Sequence, residues 1–136
     1  MLAKRAGDIA QLYTQKSFMR AYAVELILCG FDEERGPQLY KVDPAGHVLG
    51  YFGASSGTKE DDALLQLERA HKENGGFQGM EVDQVMRTCI NALQNTIGRE
   101  FKSDDIEIGY VDQNMVFKTL PEEKIAEYLK IIQKFL

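Results

Sequence analysis

The chain has 136 residues and a formal net charge of −5, and its 16 Lys and Arg residues are scattered along the sequence. Proteins that bind nucleic acids usually gather their basic residues into a patch, so this balance argues against a nucleic-acid partner. No apolar run approaches the roughly 20 residues that span a bilayer, and the first residues lack the apolar stretch of a signal peptide. We expect one soluble, intracellular domain over residues 1–136, with no membrane partner.

The first part of the chain predicts one helix followed by three antiparallel strands. Apolar residues recur at helical spacing over residues 2–16, but no Ser, Thr, Asp or Asn precedes this helix to cap it. β-rich runs follow at residues 21–31, 37–42 and 47–52. Between the last two runs, residues 43–46 read Asp-Pro-Ala-Gly, which is the preferred chemistry of a type I turn.

Two helices are predicted next, and their apolar faces indicate an antiparallel pair. Thr58 or Ser56 can cap the first helix, with Asp61 three residues after Thr58 as in a capping box. The apolar face of that helix comprises Ala63, Leu64, Leu67 and Ala70. After a glycine-rich break, the second helix repeats an apolar face over about four turns, formed by Val82, Val85, Met86, Cys89, Ile90, Leu93 and Ile97.

The end of the chain predicts a hairpin and a helix. Residues 105–111 alternate like a half-buried strand, and residues 114–118 return as the partner strand across Asp112 and Gln113. The last helix starts near Thr119, with Glu122 as its capping-box partner. The elements together predict an α+β fold.

Neither a metal site nor a cofactor is expected. Cys29 and Cys89 lie far apart in apolar segments, without a CxxC partner or a nearby group of histidines. We therefore expect two buried free thiols. The acidic runs DEER, KEDD and SDDIE lack the alternating ligand spacing and closing Glu of a calcium loop. Gly57 is followed by Thr-Lys-Glu, which does not match a phosphate-binding P-loop.

The stretch GASSG, centred on Ser55, fits the G-x-S-x-G pattern that presents the catalytic serine of α/β-hydrolases. Such a serine needs a histidine within hydrogen-bond reach. His71 lies about 20 Å along the following helix, and His47 lies near the far end of the preceding strand. The pattern therefore favours a strand-to-helix turn, and a small serine hydrolase that uses Ser55 is kept as the alternative function.

Several longer stretches together resemble the second half of an alpha-type subunit of the proteasome core particle. They are AKRAGDIAQLYTQ, GFDEERGPQLYKVDPAGH, LGY and SGTKEDDA, and the resemblance extends from Leu2 to about Leu129. Its most specific part is Gly-Pro-Gln-Leu-Tyr at residues 36–40, followed by the Asp-Pro-Ala-Gly of residues 43–46. The helix end DIAQLYTQ and the closing stretches IEIGYV and PEEKIAEYL are most similar to the alpha type-6 class.

This resemblance implies a four-layer αββα sandwich, the N-terminal-nucleophile hydrolase fold, assembled into seven-membered rings. Alpha-type subunits of this kind do not cleave peptides. They form the outer rings of the particle, template the beta rings and dock regulatory particles, in ubiquitin- and ATP-dependent protein degradation. The implied partners are other alpha-type and beta-type subunits, the implied location is the cytoplasm and nucleus, and neither catalytic residues nor cofactors are expected.

The sequence departs from the family pattern in two respects. Arg20-Ala21 stands where family members commonly have Arg-Pro, and Phe-Gly-Ala at residues 52–54 stands where they have a Lys-Ala-Thr-like run. A full subunit is also nearly twice as long, so the chain is expected to be the C-terminal portion of such a subunit. A stand-alone protein-interaction domain remains as a third hypothesis.

The segment YTQKSFMRAY is either a contact surface or simply the end of a helix that leads into a strand. Within it, Tyr13, Gln15, Met19 and Arg20 are the candidate residues of a subunit interface. The strand that follows is apolar on both faces, which is typical of a strand covered on both sides. We therefore expect the isolated chain to expose an apolar patch and to self-associate, either sheet on sheet or strand edge on strand edge.

Overall fold

A computed structural model describes residues 1–134 of the chain. These residues form helices and antiparallel sheets, so the α+β prediction is confirmed. The chain divides into two compact units, one over Met1–Ser56 and a second that begins at Gly57. The expectation of a single domain over residues 1–136 stays a prediction.

The first unit contains one helix and a three-stranded meander. Helix α1 spans Leu2–Gln15, and strands β1, β2 and β3 span Leu26–Asp32, Gly36–Val42 and Val48–Gly50. The strands are antiparallel in the order β1-β2-β3, as predicted. Helix α1 has no side-chain cap at Met1, which also agrees with the prediction.

Helix α1 packs against one face of this sheet, next to β2 and β3. Val42 of β2 is 1% exposed, and Ala3 and Ala10 on the helix are also buried. Small residues at the contact allow the helix backbone to approach the sheet closely. The opposite face of the sheet carries Ile27 and Leu49, which are exposed. Within this unit, therefore, only one face of the sheet is covered.

The second unit contains three helices and a hairpin. Helices α2 and α3 span Glu60–Glu73 and Val82–Ile97. Strands β4 and β5 span Gly109–Val111 and Phe117–Thr119, and helix α4 spans Glu122–Gln133. The two strands pair antiparallel, which confirms the predicted hairpin although both strands are shorter than predicted.

Helices α2 and α3 pack as the predicted antiparallel pair. The Lys59 ammonium, just before α2, donates to the carbonyl oxygen of Thr96 near the end of α3 at 3.1 Å. At the other end, the Gln84 amide donates to Asn74 Oδ1 at 3.1 Å. A buried cluster lies where α3 and α4 meet the segment that follows α3, formed by Ile90, Phe101, Ile125, Leu129 and Ile132.

Both predicted capping boxes are wrong. Helix α2 begins at Glu60, so Lys59 and not Thr58 stands at the cap position, and no side chain caps the helix. Helix α4 begins after Pro121, and Thr119 belongs to β5. Proline fixes a backbone dihedral that suits a helix entry, so Pro121 fixes the helix start where a threonine was expected to cap it.

The hairpin turn is longer than the two residues that the sequence suggested. The backbone N–H of Asp112 donates to Val116 O at 3.1 Å, and that of Met115 donates to Asp112 O at 3.0 Å. Met115 has a φ of 60°, the only positive φ of a non-glycine residue in the described part of the chain. This is a three-residue loop with its last residue in the left-handed region.

Cys29 and Cys89 are free, as predicted, but both are exposed, so the expectation of burial is wrong. Cys29 lies on the uncovered face of the sheet, and Cys89 lies on an exposed side of α3.

Within residues 1–134, no group of three or more His, Cys, Asp or Glu side chains is placed to hold a metal ion. None of the described helices is long and apolar enough to cross a membrane.

Candidate functional site

The four residues predicted to form a subunit interface lie together in the first unit, at and after the end of α1. Gln15 is the last residue of α1 and is exposed. Met19 and Arg20 are also exposed, in the segment without regular structure that leads to β1. This placement makes them accessible to a partner. Their role in an interface stays a prediction.

Tyr13 is the one half-buried member of this set, because its ring stacks on Tyr22. The ring centroids are 4.8 Å apart and the planes are inclined by 26°. Desolvation raises the pKa of Tyr22 above its ordinary value, and a side-chain hydrogen bond with Tyr13 adds to this effect. The stacked pair fixes the segment that carries Met19 and Arg20 to the last turn of α1.

Tyr22 is not among the candidate residues predicted from the sequence, and no spacing rule relates it to Tyr13. Tyr13 is helical whereas Tyr22 lies in irregular chain, so neither helical nor strand periodicity relates them. Phe18 and Val24, which are 78% and 57% exposed, lie in the same irregular segment. They add apolar side chains to the candidate surface.

A polar network includes Lys41, which lies between Ile27 and Leu49 on the sheet face opposite α1. Lys41 of β2 pairs with the carboxylate of Glu25 at 3.2 Å, and the Ser56 hydroxyl donates to the same carboxylate oxygen at 2.7 Å. Ser56 was one of two candidate caps for α2, but its hydroxyl is directed to Glu25 instead. The network joins the chain before β1 to the chain after β3, because its members come from both places.

Ser55 does not occupy the sharp strand-to-helix turn that a catalytic elbow requires. Strand β3 ends at Gly50 and α2 begins at Glu60, so the two elements are not joined directly at Ser55. His47 is held at the turn between β2 and β3, where its ring nitrogen Nδ1 lies 2.7 Å from Asp43 Oδ2. The hydrogen bonds from His47 hold the pKa of Asp43 below its usual range.

A fluorophosphonate probe is expected to leave Ser55 unlabelled, because the serine lacks the geometry that would activate its hydroxyl. Intact-mass analysis of the purified chain after incubation with the probe measures this directly. The Ser56→Ala variant serves as the matched control for the neighbouring hydroxyl. Labelling that disappears in Ser55→Ala and persists in Ser56→Ala would establish the hydrolase alternative.

A second exposed apolar surface lies on helix α3. The predicted apolar face of this helix divides into two parts. Met86 and Ile90 are buried. The remaining members are exposed and follow one another along a single stripe of the helix, formed by Val82, Val85, Cys89, Leu93 and Ile97. Neighbouring turns of one helix therefore present a continuous apolar stripe.

Comparison with known proteins identifies the family. Residues 2–111 match the family model described as proteasome subunit. The chain is 36% identical over 132 residues to the probable proteasome subunit alpha type-1 of Schizosaccharomyces pombe, which covers 97% of this chain and 53% of that protein. It is 34% identical to the proteasome subunit alpha type-6 of Caenorhabditis elegans, again over 97% of this chain and 53% of the relative.

An archaeal relative extends the comparison. The proteasome subunit alpha of Picrophilus torridus is 33% identical over 128 residues, which cover 94% of this chain and 52% of the relative. The chain thus spans about half the length of the curated relatives it matches. The alpha-type resemblance seen in the sequence is confirmed, and a type-6 protein is among the relatives. The family model covers most of the chain and these relatives carry alpha-subunit names, so the chain belongs to the proteasome subunit family.

Proposed function

We propose that this chain forms part of a non-catalytic alpha-type subunit in the outer ring of the proteasome core particle. The observation that carries the proposal is the match to relatives from a fungus, a nematode and an archaeon, all named as alpha subunits. Each match extends over 94% or more of this chain. Because the chain spans about half of each relative, its action within a longer subunit is part of the proposal.

We also propose that the subunit has no catalytic activity, and the same relatives support this. The relatives carry alpha-type names, and the GASSG turn lacks the strand-to-helix geometry of a nucleophile elbow. The chain would contribute surfaces for assembly to the particle. Its candidate contact residues are Tyr13, Gln15, Met19 and Arg20, with the ring of Tyr22 stacked on that of Tyr13.

The fold of the complete subunit is proposed to be the four-layer αββα sandwich. In support, the sheet of the first unit has α1 on one face and exposed Ile27 and Leu49 on the other. In a sandwich, exposed apolar side chains on a sheet face pack against a second sheet. The full subunit would thus cover a face that this chain leaves exposed.

The proposed partners are other alpha-type and beta-type proteasome subunits, with regulatory particles bound through the assembled ring. The proposed location is the cytoplasm and nucleus, in ubiquitin- and ATP-dependent protein degradation. Exposed apolar residues around Phe18 and Met19, together with the cation of Arg20, suit a protein partner, since aromatic residues, Met and Arg are enriched at such interfaces.

A chimeric subunit tests the proposal. This chain would replace the matching half of the Schizosaccharomyces pombe alpha type-1 protein, with an affinity tag, and be expressed in that yeast. We expect alpha-type and beta-type subunits to co-purify with the chimera, because the chain would supply the surfaces of the half it replaces. Mass spectrometry of the purified material identifies the partners.

The tagged remaining half of the yeast subunit, expressed without this chain, is the matched control. If that half alone recovers as many beta-type subunits as the chimera, the chain contributes nothing to assembly. A chimera that is stable and soluble but free of other proteasome subunits would contradict the proposed function.

A further inference from the structure

Asn74 stands at the C-terminal end of helix α2 in a local sequence that favours loss of its side-chain ammonia. It is followed by Gly75, and it is the only one of the four asparagines in the chain with a glycine after it. A glycine nitrogen is the least hindered backbone nucleophile, because glycine carries no side chain. Asn74 and Gly75 are both exposed, so water and hydroxide reach the two reacting groups.

Hydrogen bonds fix the Asn74 side chain at both ends. Its Nδ2 donates to Ala70 O at 2.7 Å, and its Oδ1 accepts from the Gln84 amide on α3 at 3.1 Å. The nucleophile is engaged as well, because the Gly75 N–H donates to Lys72 O at 3.3 Å. The side-chain amide therefore has to give up both of its bonds before it can rotate.

The backbone of Asn74 also lies outside the geometry of ring closure. Asn74 has a ψ of 2°, which places the Gly75 nitrogen in line with the Asn74 nitrogen and not with the Asn74 Cβ. Attack on Cγ needs the Gly75 nitrogen and Cβ on the same side of the Cα–C bond. The end of α2 must therefore open locally before the reaction can begin.

We propose that Asn74 is a site of spontaneous deamidation, and that Gln84 sets its rate by holding the side-chain amide. In the opened chain the Gly75 nitrogen loses its proton to hydroxide, attacks Asn74 Cγ and closes a five-membered succinimide ring. The Cγ–Nδ2 bond breaks, and ammonia leaves after taking a proton from water. Water then opens the ring at either carbonyl carbon, which leaves aspartate or isoaspartate. The net reaction consumes one water and releases one ammonia.

The product weakens the end of α2 and its contact with α3. Deamidation removes the Nδ2 donor that bonds Ala70 O. It also adds a negative charge at the C-terminal end of the helix, where the helix dipole is already negative. The age of the chain is thereby linked to the packing of this helix pair. All the residues involved lie within the second unit, so the inference does not rest on the proposed proteasome role.

Peptide mapping by mass spectrometry measures the rate of deamidation. The purified chain is kept in mildly alkaline buffer, and a free peptide of residues 69–79 is kept beside it as the unrestrained reference. We expect Asn74 to react faster than the other three asparagines of the chain. We also expect it to react about tenfold or more slowly in the chain than in the peptide, because two side-chain hydrogen bonds must open first.

The Gln84→Met variant tests the role of Gln84. It keeps the length of the side chain but removes the donor to Asn74 Oδ1. We expect Asn74 to react about fivefold faster in this variant, which corresponds to the loss of one neutral hydrogen bond. Gln78→Met makes the same exchange at an exposed glutamine between the two helices. It should react at the rate of the original chain.

The Asn74→Asp variant represents the aspartate product. We expect hydrogen exchange in the last turn of α2 to be about fivefold faster in this variant than in the original chain. Asn114→Asp makes the same change of charge in the exposed turn of the hairpin and should leave exchange in α2 unchanged. Equal exchange of α2 in the two variants would contradict the weakening of the helix end.

The rates decide the proposal. If Asn74 reacts no faster than the other asparagines, or as fast in the chain as in the free peptide, the proposal is overturned. Equal rates in Gln84→Met and Gln78→Met would overturn the role of Gln84. Acceleration in Gln84→Met with loss of exchange protection throughout α3 would also overturn it, because general unfolding would then set the rate. Acceleration in Gln84→Met alone, with α3 still protected, would support the proposal, whatever the chimera shows about the proteasome.

Discussion

Replacing Gly46 with alanine is expected to lower the free energy of unfolding of the first unit by about 3 kcal/mol. Gly46 has a φ of +93°, which side chains rarely adopt, and it closes the turn by donating to Asp43 O at 3.0 Å. A Cβ there would lie 2.6 Å from Gly7 O and 2.8 Å from Gln11 Cβ, both on α1. The helix backbone would have to move away from the turn.

Gly36→Ala is the matched control for this prediction. Gly36 also has a positive φ, +74°, but a Cβ there would meet no atom within 4 Å. It should therefore cost only the backbone strain, about 1 kcal/mol. Peptide-resolved hydrogen exchange over residues 1–56, at one protein concentration, compares the two. Equal losses of protection in the two variants would mean that the close contact between the turn and α1 does not add to the cost of Gly46→Ala.

Replacing Phe101 with alanine is expected to cost about 4 kcal/mol in the second unit. Phe101 is 5% exposed and belongs to the buried cluster formed by α3, α4 and the segment between α3 and β4. The guanidinium of Arg99 also lies 5.7 Å from the centroid of its ring. Removing the ring leaves a cavity between two helices that meet mainly through this cluster.

Phe117→Ala is the control for the core substitution. This substitution removes a side chain of the same size, but Phe117 lies on β5 and is 64% exposed. It should cost less than about 1 kcal/mol. Hydrogen exchange of α3 and α4 is the measurement. If α3 and α4 are as well protected from exchange in Phe101→Ala as in Phe117→Ala, the cluster is not the core of this unit.

The helices could be predicted because their apolar periodicity is local. The order of the strands could be predicted because short turns join consecutive strands. The start of β1 could not, because it depends on a partner: Leu26 pairs with Val42, and the turn that follows β2 begins one residue later. Residues before Leu26 therefore have no partner in β2, however β-rich they are. A strand boundary of this kind is set by pairing rather than by the propensity of the residues themselves.

The capping predictions failed for a related reason. A hydroxyl near a helix start caps it only if the helix begins at the right residue. Ser56 instead donates to Glu25, 31 residues earlier in the chain. Such a bond depends on how the chain folds back, which no local pattern records.

Within the candidate surface, the sequence predicted the residues but not how they are held. The segment YTQKSFMRAY supplied the candidates Tyr13, Gln15, Met19 and Arg20, whose role in an interface stays a prediction. The stacking of Tyr13 on Tyr22 joins a helix to irregular chain, and spacing rules do not describe irregular chain. The exposure of Cys29 was likewise missed, because an apolar strand is typical of one buried on both faces.

The most direct test of the central claim is the ratio of the chimeric subunit to beta-type subunits in particles purified through the chimera. Quantitative mass spectrometry provides this ratio from peptides that occur only in this chain. Membership of the outer ring predicts that the chimera is present in the same amount as each other alpha-type subunit and each beta-type subunit. A chimera recovered without beta-type subunits, or in large excess over them, would contradict the account.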